Sequence, residues 1–253
     1  MLEKSRSTRG GIVAQVFRSA ENPILFVDRD AAGEQLAQAV LREVQTLREP
    51  HQFVVYGLPR GGVPVALPVA RSLGCPLEVL VAKKITRPTD PELAIGAVTA
   101  DGQVLRTAMR LSIHPDEWQE AVELARIKAQ QQLAQFSQQT HRGAEATLPE
   151  QGSDQAMNAA KRRQIALLVD DGIATGMTIT VAAKALRQQN LDEIWICAPV
   201  APEGMIKALK QWCDRTVILA TPDPFFSVSR FYQSFPQLST EEALAYLKKS
   251  TQA

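Results

Sequence analysis

Residues 165–178 read Ile-Ala-Leu-Leu-Val-Asp-Asp-Gly-Ile-Ala-Thr-Gly-Met-Thr. Five apolar residues run without a break into two adjacent carboxylates, Asp170 and Asp171, and a turn holding Gly172, Thr175, Gly176 and Thr178 follows. Such an apolar run belongs to a strand covered on both faces, the condition of a parallel sheet. The turn then opens a helix, whose first N–H groups have no intrahelical partner and favour an anion. Carboxylates do not serve a phosphate directly. Their place beside an anion cradle points to a ligand that combines hydroxyls, a phosphate and a divalent cation, and a sugar phosphate has that make-up.

The rest of the chain repeats the strand–turn–helix pattern. Phe53–Tyr56 is a strand that ends in Gly57-Leu58-Pro59-Arg60-Gly61-Gly62, and a helix over 63–73 stops at Gly74. Leu77–Ala82 is the next strand and runs into Lys83-Lys84. Residues 85–94, with Arg87-Pro88, Thr89 and Asp90-Pro91, read as an exposed loop. Ile95–Thr99 and Gln103–Arg106 flank Ala100-Asp101-Gly102, a hairpin signal. Asp30 is the candidate cap of a helix over 31–48. Pro115 opens a long polar helix to about Phe136, and 140–163 lack periodicity and read as a flexible connection. Beyond the 165–169 strand come a helix over 177–189, a strand over 193–198, a helix begun by Pro202 and a strand over 216–220. Ser239 with Glu242 then forms a capping box for a last helix.

Strands alternating with helices imply an α/β fold, a central parallel sheet with helices on both faces and its ligand loops at the carboxyl edge. The expected organisation is a polar tail over 1–23 and one domain over 24–248. That domain carries a helical and flexible insertion over 107–163 and a hood segment over 221–238. No internal repeat is present.

Several function classes are disfavoured. The 28 basic and 27 acidic side chains leave a net charge of +1, so bulk electrostatics gives no case for nucleic acid or an anionic membrane. No apolar run approaches the roughly 18–20 residues of a membrane helix, and the polar N-terminus lacks a signal-peptide core. Cys75, Cys197 and Cys213 have neither metal-type spacing nor an even number, so reduced thiols in a cytoplasmic protein are expected.

Four constellations carry chemistry. In the first, the amides from Ala174 to Thr178 with the hydroxyls of Thr175 and Thr178 can hold a phosphate. Asp170 and Asp171 can accept from two neighbouring ribose hydroxyls and attract a metal ion. The plainer alternative is an acidic pair at a strand end. In the second, Arg60-Gly61-Gly62 offers consecutive amides and a guanidinium to a diphosphate, or is a bare turn. In the third, Lys83, Lys84 and Arg87 suit the same anion, or are solvated charges. The fourth is the aromatic group Phe225, Phe226, Phe231, Tyr232 and Phe235, either a base-stacking hood or a small satellite core. His114 and His141 read as structural or solvent-facing.

The 165–178 string resembles the phosphoribosyl-diphosphate (PRPP) binding motif of type I phosphoribosyltransferases. Asp28–Gly33, Gly57–Val63, Pro91–Val98 and Phe226–Phe235 resemble a bacterial subgroup of that family with an unassigned acceptor, and the likeness spans roughly 24–248. The resemblance implies an enzyme of nucleotide metabolism, a pentosyltransferase that moves the 5-phosphoribosyl group of PRPP to a base or amine and releases diphosphate. It implies Mg²⁺ as cofactor, with Asp170 and Asp171 as metal ligands directly or through water, small-molecule partners and a homodimer. Arg60, Lys83, Lys84, Asp170 and Asp171 would be catalytic. Arg60, Gly61, Gly62, Lys83, Lys84, Arg87, Asp170, Asp171, Gly172, Ile173, Ala174, Thr175, Gly176, Met177 and Thr178 would bind substrate.

In the resembled family the residue matching Arg60 often follows a cis peptide, and the segment after Lys84 is a mobile loop. Enzymes for 6-oxopurines commonly carry an acid where this chain has Ala174, so hypoxanthine and guanine are disfavoured. A non-catalytic PRPP or nucleotide sensor is the alternative reading, with 115–138 and 140–163 as its partner surface. A Rossmann-type phosphate-binding hydrolase is more distant, because no nucleophile–base–acid set supports it.

Overall fold

The apolar run becomes the middle of a sheet. In the computed structural model, which describes residues 24–107, 113–140 and 162–250, Arg163–Val169 is the central strand of five parallel strands. In chain order these strands are β1 (His51–Gly57), β2 (Leu77–Val79), β6 (Arg163–Val169), β7 (Glu193–Val200) and β8 (Arg215–Ala220), and their spatial order is β2-β1-β6-β7-β8. Ile165, Leu167 and Val169 face one core, with Val55, Trp195, Cys197 and Val217, beneath helices α1 (Arg29–Val44) and α2 (Gly62–Leu73). Ala166 and Leu168 face the other, with Ile194, Ile196 and Ile218, beneath α4 (Met177–Leu186). Burying both faces of one strand explains why its residues are all apolar rather than alternating; each buried Leu or Ile contributes about 1.5–3 kcal/mol.

Helix α1 begins earlier than the expected 31–48 and is capped by Asp28, not Asp30. Asp28 is extended, and its Oδ1 accepts from the Ala31 N–H at 2.8 Å. Asp30 falls in the first turn, where a negative charge faces the helix N-terminus, and accepts from the Tyr246 hydroxyl at 2.8 Å. At Gly33 a Cβ would lie 2.9 Å from the Val65 carbonyl, so glycine is what lets α1 and α2 pack closely. Helix α2 ends at Gly74 (φ 59°), as expected.

The region after β2 departs most from expectation. The strand expected over Leu77–Ala82 splits, because the chain leaves the parallel sheet after Val79. It enters a separate antiparallel sheet of β3 (Ala82–Arg87), β4 (Asp90–Thr99) and β5 (Val104–Arg106). Residues 85–94, expected as an exposed loop, are the ends of β3 and β4 with the turn confined to Pro88 and Thr89. Ile85, Ile95 and Val98 are buried with Ala121, Val122 and Ala125 of α3 (Pro115–Thr140), and it is this helix that holds the hairpin in place. The expected 100–102 turn joins β4 to β5, with Gly102 at φ 94°.

The remaining elements match with shifted ends. Helix α4 stops at Leu186, and the helix from Pro202 is a 3₁₀ turn (Glu203–Met205) running into α5 (Ile206–Leu209). Ser239 caps α6 (Thr240–Ser250) reciprocally: its N–H donates to Glu242 at 2.7 Å and its Oγ accepts from the Glu242 N–H at 3.1 Å. The inserted helix α3 shares a core with α6 through Ala129, Phe136, Ala243, Leu244 and Leu247. The tail over 1–23 and most of the 140–163 connection lie outside the described residues. Among the described residues no helix is long and apolar enough to cross a membrane, and the three cysteines are free.

Candidate functional site

Strands β1 and β6 pair in register from His51↔Arg163 to Gly57↔Val169, so their following loops leave the carboxyl edge side by side. The Leu58 N–H donates to the Val169 carbonyl at 2.9 Å and extends that pairing into the loops. The contact is close. A Cβ at Gly62 would lie 2.6 Å from the Val169 carbonyl oxygen, and one at Gly61 would overlap the Asp171 carboxylate. Glycine at 61 and 62 is therefore required by the approach of the acid pair. The peptide between Pro59 and Arg60 is cis, as the resemblance implies. The expected nest is narrower than two glycine amides, because the Gly62 N–H donates to the Leu58 carbonyl at 2.9 Å.

The second loop forms a cradle. A cavity of about 130 Å³ is lined by Asp170, Gly172, Ile173, Ala174, Thr175, Gly176, Thr178 and Lys84. Gly176 has φ 71°, which places Met177 at the start of α4 and leaves the first helical amides beside the cavity. Ala174 and Thr175 are exposed. Ile173 is buried and its N–H donates to the Val200 carbonyl at 2.8 Å, so this expected binding residue anchors the loop to β7. Gly172 admits the Val228 side chain, where a Cβ would overlap it.

Asp170 and Asp171 directly follow β6, at the base of the second loop. Burial raises the Asp170 carboxyl well above its ordinary range, and the adjacent Asp171 charge adds to that. Asp171 is also raised by burial, with the Arg29 guanidinium pulling the other way. The Asp170 Oδ1 accepts from the Asp171 N–H at 2.9 Å. Two adjacent acids in a partly desolvated cleft weigh against the fold, a pattern that recurs at functional sites.

The expected cations divide. Lys84 reaches the cradle, and Arg60 with Gly61 lines a neighbouring open cavity of about 280 Å³, together with Arg29 and Phe235–Leu238. Lys83 is half-buried, and its ammonium is pushed below its usual value by burial, then by Arg60 and by Lys128 of α3. Arg87 is not brought to either cavity. It lies at the hairpin tip, and its Nε donates to Glu117 at 3.1 Å. The aromatic group also divides: Phe231 and Tyr232 are buried with Phe26 as a satellite core, whereas Phe226 is 65% exposed. His114 is exposed, and His141 lies outside the described residues.

Arg29 is a structural member of the site that sequence reasoning passed over, and Tyr232, expected in the aromatic group as hood or satellite core, reaches the site through its hydroxyl. The Arg29 Nε donates to Asp171 Oδ2 at 2.7 Å, and the Tyr232 hydroxyl donates to the Asp171 main-chain carbonyl at 2.6 Å. A signal for Arg29 was present: an arginine in the first turn of a helix opposes the helix dipole, so its place there calls for another partner.

A five-stranded parallel sheet with an acid pair and anion cradle at its carboxyl edge defines the type I phosphoribosyltransferase fold. The sequence profile of the phosphoribosyl transferase domain matches residues 11–229, and the chain belongs to that family, whose members depend on PRPP. It is 37% identical over 227 residues to two Mycobacterium tuberculosis proteins named "Putative phosphoribosyl transferase", Rv0571c and MT0597. That match covers 89% of this chain and 47% of theirs, so the chain spans about half the length of these relatives. It is also similar to the crystal structure of TT1426 from Thermus thermophilus, with a TM-score of 0.66 and 30% identity over 89% of this chain and 98% of that one.

Proposed function

We propose that the protein transfers the 5-phosphoribosyl group of PRPP to a base or amine acceptor and releases diphosphate. The observation that carries this is the contact between the two loops, the Arg60–Gly61 turn pressed against Asp171 beside the Asp170–Thr178 cradle. One ligand bridging them needs a phosphate, ribose hydroxyls and a diphosphate in that order. The cradle at Ala174–Thr178 takes the 5-phosphate, and Asp170 and Asp171 accept from the ribose hydroxyls. Arg60 and Lys83 receive the diphosphate, and Lys84, which lines the cradle, faces the 5-phosphate. Lys83 is held among other cations, and an incoming polyanion relieves that repulsion.

The donor set fits a magnesium ion. Hard carboxylate oxygens from one or two residues, completed by water and substrate phosphates, are what Mg²⁺ ordinarily takes, and Asp170 and Asp171 would hold it directly or through water. Bound there it would neutralise charge on the leaving diphosphate. The reaction breaks the C1′–O bond to diphosphate and forms a bond from C1′ to the acceptor on the opposite face. No covalent enzyme intermediate is required, so the chain's work is positioning and charge stabilisation.

Ala174 borders the cradle without a carboxylate to handle the ring proton of a 6-oxopurine. Adenine, a pyrimidine or a non-nucleobase amine is therefore the expected acceptor class. The test is diphosphate release from PRPP and Mg²⁺ against a panel of bases and amines. Turnover with one of those classes, abolished by Asp170→Asn/Asp171→Asn, supports the proposal. Rapid turnover of hypoxanthine or guanine refutes the acceptor class. PRPP binding without turnover on any acceptor assigns a sensor instead.

A further inference from the structure

Arg29 sits beneath the acid pair, and no step of the proposed reaction uses it. The residue is only 8% exposed although it opens a helix. Its Nε donates to Asp171 Oδ2 at 2.7 Å, and a terminal nitrogen donates to the Pro236 carbonyl at 2.8 Å. The Phe235 ring covers the guanidinium, with 3.6 Å between the guanidinium carbon and the ring centroid. A Cβ at Gly61 would lie 3.2 Å from the same Nε. One planar cation thus touches the end of β6, the Arg60–Gly61 turn and the segment that follows the aromatic cluster.

We propose that Arg29 is a positioning residue. It fixes the Asp171 carboxylate in the orientation that receives the ribose hydroxyls, and it ties Phe235–Pro236 to that carboxylate so that the hood segment and the donor site hold their places together. The inference rests on the PRPP reading. A guanidinium is suited to the task because its flat face stacks on the ring while separate N–H groups reach two acceptors in its plane. An ammonium keeps the charge without that geometry.

The experiment is a calorimetric titration of PRPP with Mg²⁺ into the wild type, R29K, R29Q and F235L, with thermal unfolding of each ligand-free protein alongside. R29Q is expected to weaken PRPP binding by about tenfold or more, because it leaves Asp171 without its charge partner. R29K is expected to recover part of that loss. Adding F235L to R29K should weaken binding by less than the product of the two single effects, since both changes break one arrangement. A folded R29Q that binds PRPP as the wild type does, whatever its melting temperature, overturns the inference and leaves the donor site standing. If R29Q does not fold, wild-type affinity in R29K has the same meaning. A wild type that itself fails to bind PRPP overturns the donor-site reading and this inference with it.

Discussion

Gly61 and Gly62 are neighbours in one turn, yet a side chain at each meets different things. At Gly61 an added methyl meets the Asp171 side chain, whose carboxylate would have to shift against Arg29; at Gly62 it meets the Val169 backbone carbonyl and the Asp170 Cα, which cannot swing aside. Gly62→Ala is therefore expected to cost stability, on the order of 2 kcal/mol in denaturant unfolding. Gly61→Ala should keep most of its stability and lose PRPP affinity. Equal effects on stability in the two variants would contradict this division.

The acid pair makes a second residue-scale prediction. Burial raises both carboxyls, so their folded-state affinities for protons exceed those of the unfolded chain. Ionising them therefore weighs against the ligand-free fold. That penalty is absent below the unfolded carboxylate range and grows as the pH rises through the raised folded values. Asp170→Asn keeps an oxygen to accept from the Asp171 N–H and removes one charge. The ligand-free variant is expected to melt a few degrees higher at pH 7, with a shallower loss of stability between pH 4 and 7, while PRPP binding collapses. A lower melting temperature at pH 7 would show that the pair stabilises the fold.

At the scale of elements, the hairpin β3–β4 is where local signals misled. Pro88, Thr89 and Pro91 are turn formers, and within a short window they outweigh Ile85, Leu93 and Ile95. What turns those apolar residues into strands is α3, whose contacting residues lie some thirty positions away and carry no local trace in 85–94. The 165–178 unit was legible for the opposite reason: its apolar run, acids and glycines all act within one loop. The two glycine-bearing loops at the β1 and β6 ends could be read from sequence, but their contact depends on strand register, and the place of Arg87 at the hairpin tip beside Glu117 depends on α3. Ile85 is fully buried against α3 and is the test of that packing. Ile85→Ala should cost about 2–5 kcal/mol and speed amide exchange over 82–106 more than in the parallel sheet. Uniform acceleration across both sheets would mean that the hairpin has no separate role in holding Lys83 and Lys84.

At the scale of the molecule, four parts of the chain meet at one sheet edge: the start of α1, the loop after β1, the loop after β6 and the segment after β8. The inserted α3 supports the hairpin that brings Lys84 to the same place. The family match covers nearly all of this architecture. Whether this edge binds PRPP is decided by calorimetric titration of PRPP with Mg²⁺ into the wild type and into Asp170→Asn/Asp171→Asn. The expected result is binding by the wild type with a dissociation constant between about 1 μM and 1 mM, the usual span for enzyme substrates, and none by the variant. Folded wild-type protein that gives no binding heat at any temperature tried, with no rise in melting temperature at millimolar PRPP, would show that this edge is not a PRPP site.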